Sequence, residues 1–406
     1  METPPASTIP SIAQPQKTKH YSAFIMVVLL LVGLVAGGLI GYAFTYSDFN
    51  AKLNNLQTQL QGYSQNATYV LYPNATYLVG SNVSLSNLYQ RVQSSVVVIQ
   101  DIVPESTFFG TSYSIQQGSG FIVSVDNQLV IVTNNHVVQD AINETVTFAD
   151  GDSYPATVLG SDQLADLAVL SMTPMPSGLT PLTLVSSVNL QVGEPVVAVG
   201  APYGLSGTLT TGVISALGRT ITESSSSQSS GPTIPDIIQT STAINPGNSG
   251  GPLIDYTGNV VGITTAAVSN SQGLVFAIPS DTIIREVSSL VTTGSYNQHP
   301  SIDATGTDMN YQIAQAMGTS VTYGYLVESV STQNGLKGGT TQVAILGSNI
   351  IIGGDIITAI NGTRITNSDD LLSYLEQQTL PGQSVGFTVV RGGQTQTILV
   401  TIGKLS

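Results

Sequence analysis

The string Gly247-Asn248-Ser249-Gly250-Gly251-Pro252 sets one hydroxyl among glycines, where no Cβ blocks the approach of a carbonyl group. Backbone N–H groups at Gly247 and Ser249 can converge there on one oxygen, the requirement for a developing oxyanion in acyl transfer. For Gly-x-Ser-Gly-Gly alone, a plain turn between strands is the alternative. A serine hydroxyl is a weak nucleophile until an imidazole takes its proton, and that imidazole needs a carboxylate to fix its tautomer. The chain has 3 histidines, so the search is short. His20 precedes a long apolar run and His299 falls in a polar stretch, whereas His136 directly ends a strand-like run in Val132-Thr-Asn-Asn-His-Val-Val138. The matching acid is Asp166, at the mouth of the apolar run Leu167-Ala-Val-Leu170, where a carboxylate is costly unless hydrogen-bonded. Asp150, Asp152 and Asp162 are its rivals, in turn-like surroundings where a solvated acid is the default.

Elements able to position these groups are legible around them. From about 86 to 279 short β-branched runs alternate with Gly, Asp and Asn turns: 96–99, 120–123, 129–132, 145–148, 167–170, 195–199, 212–215, 260–263 and 274–277. That spacing predicts an all-β sandwich or a pair of barrels. The Ser/Gly-rich run 223–231 reads as a loop. Ser280 is read as the N-cap of a helix carrying Ile283, Ile284, Val287 and Leu290 at helical spacing. A polar stretch, 291–300, precedes a second unit with helices near 309–317 and 368–378 and strands near 325–330, 355–360, 383–391 and 395–402.

Ala243-Ile-Asn-Pro-Gly-Asn-Ser-Gly-Gly-Pro-Leu253 resembles the nucleophile loop of trypsin-like serine peptidases, specifically the HtrA/Deg group. The strings around His136 and Asp166 resemble that group's histidine and aspartate motifs, and the order His136, Asp166, Ser249 is the chymotrypsin-like one. Gly200-Ala-Pro-Tyr-Gly204 and 208–219 also look like the family, while Ser241 stands where the family often has aspartate. Gly353-Gly-Asp-Ile-Ile-Thr-Ala-Ile-Asn-Gly362 resembles the core of PDZ modules. The resemblance implies a mainly β protein: a double β-barrel chymotrypsin-like protease domain followed by a small α+β PDZ domain. It implies a serine endopeptidase for unfolded or damaged proteins in which Ser249 attacks, His136 acts as base and then acid, Asp166 orients it, and Gly247 and Ser249 hold the oxyanion. Ala243, six before the nucleophile, would be the uncharged floor of the primary pocket, with Ile244, Ile263 and Val275 beside it. Tyr323, Gly324, Tyr325 and Leu326 would form the PDZ loop that holds a peptide C-terminus. Assembly as a trimer or larger is implied as well. A holdase or PDZ scaffold with little proteolysis is the reading from another class.

Composition narrows the partners. Charged residues are 8% of the 406-residue chain, against roughly 25% in ordinary soluble domains. Net charge is −14 with 10 Lys plus Arg, which excludes a phosphate-neutralising nucleic-acid surface. With no cysteine there is no disulfide and no thiolate metal site, and neither a metal nor a cofactor is expected. Few ionisable groups suit an acidic medium, but an ordinary imidazole, with pKa about 6.5, would be protonated there and lost as a base. Residues 21–44 carry no charge and are long enough to cross a hydrocarbon core of about 30 Å. Lys17 and Lys19 put the N-terminus in the cytoplasm and everything after Phe44 outside. Glycosylation-type sequons begin at Asn66, Asn74, Asn82, Asn143 and Asn361. The expected plan is a cytoplasmic tail (1–20), a transmembrane helix (21–44), a polar stalk (45–85), a trypsin-like protease domain (86–292), a linker (293–297) and a PDZ domain (298–406).

Overall fold

The structure, a computed structural model, describes Lys52 and residues 84–406 apart from 108–109, 202–206, 223–232, 246, 266–274 and 406. The expected membrane span, most of the stalk, the sequons at Asn66, Asn74 and Asn82, and the loop 223–231 lie outside the described residues. Among those described, no helix is long and apolar enough to cross a membrane.

Two closed six-stranded barrels dominate. The first runs β1 (Val96–Thr107), β2 (Gly110–Val125), β3 (Gln128–Thr133), β4 (Asn143–Thr147), β5 (Ser153–Asp162) and β6 (Leu167–Met172), in spatial order β1-β2-β3-β6-β5-β4. The second runs β7 (Pro195–Gly200), β8 (Thr208–Thr222), β9 (Thr233–Thr240), β10 (Pro252–Ile254), β11 (Val260–Thr265) and β12 (Val275–Pro279), in order β10-β11-β12-β9-β8-β7. The apolar runs have no polar face because both faces of these strands are buried. Along β6, Ala168 and Leu170 point into the first barrel, while Leu167 and Val169 point at the second. Likewise Ile131 fills the first barrel, and Val130 and Val132 join Val197, Ile237, Ile254 and Ile263 in a core shared by the two. Val196, Ala198 and Leu253 fill the second barrel, so period-two alternation builds three cores from one kind of strand.

The first hairpin corrects the short strands expected at 96–99 and 120–123. β1 and β2 pair without a break from Val96↔Phe121 to Thr107↔Gly110. The outer part of β2 is solvent-exposed and it becomes buried from Gly118 onward. Helix Ser280–Thr293 closes the barrels through Ile283, Val287 and Leu290. Ser280 is its first helical residue rather than its cap: Pro279 holds the N-cap, and the Ser280 hydroxyl donates to Val185 O.

The C-terminal unit contains β13 (Pro300–Ser301), β14 (Ala304–Asp308), β15 (Tyr325–Val330), β16 (Thr341–Ile345), β17 (Ser348–Ile352), β18 (Ile356–Ile360), β19 (Thr363–Arg364), β20 (Ser384–Arg391), β21 (Gln394–Thr401) and β22 (Gly403–Lys404). Its main sheet runs β14-β15-β18-β20-β21, with β19 on β18. Helices Tyr311–Met317 and Ser368–Gln378 start at Asn310 and Asn367, whose side chains accept from Ile313 N–H and Asp370 N–H. The second helix also lies against β8 and β9 of the second barrel.

Candidate active site

Ser249 sits in the tight loop between β9 and β10, 7% exposed. The loop is held from both barrels. Ser119 N–H, on β2, donates to Ser249 O at 2.8 Å, and Gly250 N–H donates to Thr264 O at 2.9 Å. The Thr264 hydroxyl spans Asn248 O (2.8 Å) and Gly251 O (3.0 Å). Gly250 has φ +85°, and a Cβ there would meet Ser119 O and the Thr133 hydroxyl, so glycine is required on both counts. The amides of Asn248, Gly250 and Gly251 are used inside the protein, whereas those of Gly247 and Ser249 donate to no described residue.

His136 lies in the single helical turn Asn135–Val138 that follows β3. Its Nδ1–H donates to Asp166, 2.8 Å from Oδ2 and 3.0 Å from Oδ1, and its backbone N–H donates to Oδ1 at 2.9 Å. A carboxylate facing Nδ1 fixes the proton on that nitrogen and makes Nε2 the basic one. Asp166 is 1% exposed at φ +49°, a left-handed conformation that aspartate tolerates better than most residues. Its backbone O accepts from Asn134 Nδ2 at 3.0 Å, and Oδ2 accepts from the Thr265 hydroxyl at 3.2 Å. Thr265 was not singled out in the sequence, since a threonine ending a β-branched run reads as a strand former. Gly118 leaves room beside β2 for Val137, next to His136, and for the Ser249 carbonyl. A Cβ on Gly118 would lie 2.6 Å from Val137 and 3.2 Å from Ser249 O.

The rivals separate. Asp150 and Asp152 are exposed, in a turn where Asp152 N–H donates to Asp150 Oδ1 at 3.0 Å. Asp162 corrects its reading as a solvated acid. It is 6% exposed, 2.5 Å from His299 Nε2. Burial would raise its pKa, but the His299 hydrogen bond and charge and the Leu164 N–H overcome this and hold it below the ordinary carboxylate range. His299 is therefore no linker histidine. It is 5% exposed, with Nδ1 2.9 Å from Glu376 Oε1 on the helix Ser368–Gln378. Burial opposes its charge, yet the two acids push its pKa up to about 10. Glu286, beside them and fully buried, is pushed up to about 8 by burial despite Arg285 2.6 Å away.

Asp162, Glu286 and His299 are the one group of possible metal ligands among the described residues, with ligand atoms within 4.8 Å of one another. Ligand atoms about 2.0–2.1 Å from a tetrahedral zinc stand roughly 3.3 Å apart. The His299–Asp162 contact at 2.5 Å is a hydrogen bond, too close for co-ligands of one ion.

Of the expected pocket residues, Ala243 is exposed, Ile244 is half-buried against the interior of the second barrel, and Val275 is half-buried opposite Thr240. Ile263 corrects its reading as a wall: with no exposed surface, it belongs to the core between the barrels. The peptide loop expected at Tyr323–Leu326 is also corrected. Gly324 N–H already donates to Thr366 O (2.8 Å), its O accepts from Met309 N–H (2.9 Å), and Leu326 is fully buried. Tyr323 stacks under Arg364, with the guanidinium 4.2 Å from the ring centre. Tyr325 and Leu326 begin β15, an interior strand; the edges of this sheet are β14 and β21.

Residues 118–263 match the trypsin-like peptidase domain family, and residues 329–402 match the PDZ domain. The chain is 39% identical over 320 residues to "Protease Do-like 1, chloroplastic" of Arabidopsis thaliana, covering 78% of this chain and 70% of that protein. It is 36% identical over 300 residues to the "Probable periplasmic serine endoprotease DegP-like" protein of Brucella suis, covering 73% of this chain and 54% of that protein. Among solved structures, the HtrA-type protease AlgW with a tripeptide superposes with TM-score 0.59 at 29% identity, over 80% of this chain and 98% of that one.

Proposed function

Because the chain belongs to the HtrA/Do-like family of serine endoproteases, we propose that it cleaves unfolded or damaged polypeptides through an acyl-enzyme on Ser249. The observation that carries the assignment is the His136 Nδ1–Asp166 hydrogen bond at 2.8 Å beside a serine loop whose Gly247 and Ser249 amides donate to no described residue. Ser249 Oγ bonds to the scissile carbonyl carbon as its proton passes to His136 Nε2. The negative oxygen is held by the N–H groups of Gly247 and Ser249. The C–N bond then breaks, and His136 gives its proton to the leaving amine. Water attacks the acyl-enzyme, losing a proton to His136, which returns it to Ser249 Oγ as the carboxylic acid leaves.

Ala243 and Ile244 favour small or medium apolar residues at the cleaved position, since neither side chain can pair with a cation. The PDZ unit takes an extended peptide by strand addition, which requires an unpaired edge, and β14 offers one. The uncharged run 21–44, with Lys17 and Lys19 before it, supports anchoring in a membrane with protease and PDZ units outside the cytoplasm. Self-assembly into a trimer or larger belongs to the same reading.

Digestion of a fluorescent unfolded casein by the detergent-purified full chain tests the assignment. Ser249→Ala is expected to lower kcat by on the order of 10⁶ with an unchanged thermal transition. Wild-type turnover in that variant would move the nucleophile elsewhere.

A further inference from the structure

We infer that Ser119 is a positioning residue for the two oxyanion-binding amides, fixing from the first barrel the nucleophile loop that the second barrel carries. The inference rests on the assignment of Ser249 as nucleophile. Ser119 lies on β2, fully buried, and every polar group it owns is engaged. Its hydroxyl donates to Gly247 O at 2.6 Å and accepts from Ala201 N–H, at the end of β7, at 2.9 Å. Its N–H donates to Ser249 O at 2.8 Å, and its O accepts from the Thr133 hydroxyl at 2.8 Å.

The consequence follows from peptide planarity. A pinned carbonyl fixes the plane that carries the next residue's N–H. Three successive planes in the loop have pinned carbonyls: Gly247 O by the Ser119 hydroxyl, Asn248 O by the Thr264 hydroxyl, and Ser249 O by the Ser119 amide. Ser119 thus holds the planes on either side of the one that presents Ser249 N–H. Its grip on Gly247 O also fixes ψ at a residue with φ +97°, where glycine would otherwise turn freely and carry its own N–H away. The two ends it joins, Ala201 N–H and Gly247 O, need an acceptor and a donor at one place, and a hydroxyl supplies both. Alanine would take the partner from both the buried Ala201 N–H and the half-buried Gly247 O.

The test compares the full-length wild type with Ser119→Ala, Ser119→Cys and Ser249→Ala, using fluorescent casein and a peptide aldehyde that forms a hemiacetal with the nucleophile. Loss of a whole oxyanion donor costs about 10²–10³ in kcat, so loosening both amides in Ser119→Ala is expected to lower kcat by about tenfold to a hundredfold. KM should stay within about twofold, and aldehyde affinity should weaken in step with kcat. Ser119→Cys fills the same space with a weaker donor and should fall between the two at an unchanged melting temperature; it decides the matter if the alanine variant does not fold. Wild-type kcat and aldehyde affinity in the folded variants, with at most a lower melting temperature, would overturn the Ser119 role alone. Absence of Ser249-dependent cleavage in the wild type would overturn the nucleophile assignment and this inference with it.

Discussion

Thr265 donates to the carboxylate oxygen that also faces His136 Nδ1, so three groups hold the Asp166 carboxylate: the imidazole, the His136 backbone amide and this hydroxyl. A hydrogen bond to a charged acceptor is worth about 1.5–3 kcal/mol, and one 3.2 Å long belongs at the low end. Thr265→Val keeps the shape and deletes the bond. Steady-state kinetics should show kcat reduced about tenfold with KM little changed; an unchanged kcat would mean that the histidine alone orients Asp166. The imidazole and its acid were legible in the sequence because each ends or begins a strand inside a long, specific string. Thr265 was not, because nothing local separates a threonine that fills a sheet from one that steadies an acid 99 positions earlier. His299 was misjudged for a related reason, since a polar neighbourhood in sequence says nothing about what folds over it. One usable signal was present. Glu286 follows Ile283 by three positions and precedes Leu290 by four, so it lies on the buried stripe of its helix, where an acid needs a counter-charge.

The helix Ser368–Gln378 shows how one element ties the C-terminal unit to the barrels. Arg285, on the closing helix, donates to Glu376 Oε1 (2.6 Å) and Glu376 O (2.7 Å). His299 joins the same carboxylate, and Asp236 on β9 accepts from Ser373 (2.6 Å) and Gln377 (2.7 Å). Removing one member of a buried ion pair costs about 3–5 kcal/mol, mostly through the charge left behind. Glu376→Ala is therefore expected to free the C-terminal unit, seen as faster proteolytic nicking at 294–298 and an earlier thermal transition. Nicking no faster than in the wild type would show that the helix is held by packing alone. Many element types were readable, among them the helix at 368–378 and the strands at 325–330, 355–360, 383–391 and 395–402, whereas β14, β16 and β17 were not, being short and mostly polar or partly exposed. Strand partners were not readable either. An interior strand and an edge strand share one composition, so Tyr323–Leu326 matched a peptide-binding loop by residue type while β14 lies at an edge of the sheet. The same limit hid the full length of the β1–β2 hairpin, whose outer half mixes polar residues with the exposed Ile102, Tyr113 and Ile115 and so shows no buried face to read.

Across the whole molecule, buried acids set the response to pH. Burial, with Glu144 adding to it, pushes Asp101 up to about 7. Burial pushes Asp236 up to about 6, against the hydrogen bonds of Ser373 and Gln377, and Glu286 up to about 8. A folded-state pKa above the unfolded value, about 3.9 for Asp and 4.3 for Glu, stabilises fully below that value and is lost as pH rises through the folded one. His299, pushed up to about 10, acts in the same sense above its unfolded value of about 6.5. Asp162 is shifted down, so its contribution fails only in strong acid. The signs agree: the melting temperature should be at least about 3 °C higher at pH 5 than at pH 8, and Asp101→Asn should narrow the gap. A lower melting temperature at pH 5 would contradict this reading of the buried acids. For anyone building chimeras, the mixed-charge junction has a practical meaning. A foreign C-terminal module grafted after residue 298 would cap Asp162, Glu286 and Arg285 with a surface lacking their counterparts, so His299 and Glu376 must be transplanted with the barrels they complete.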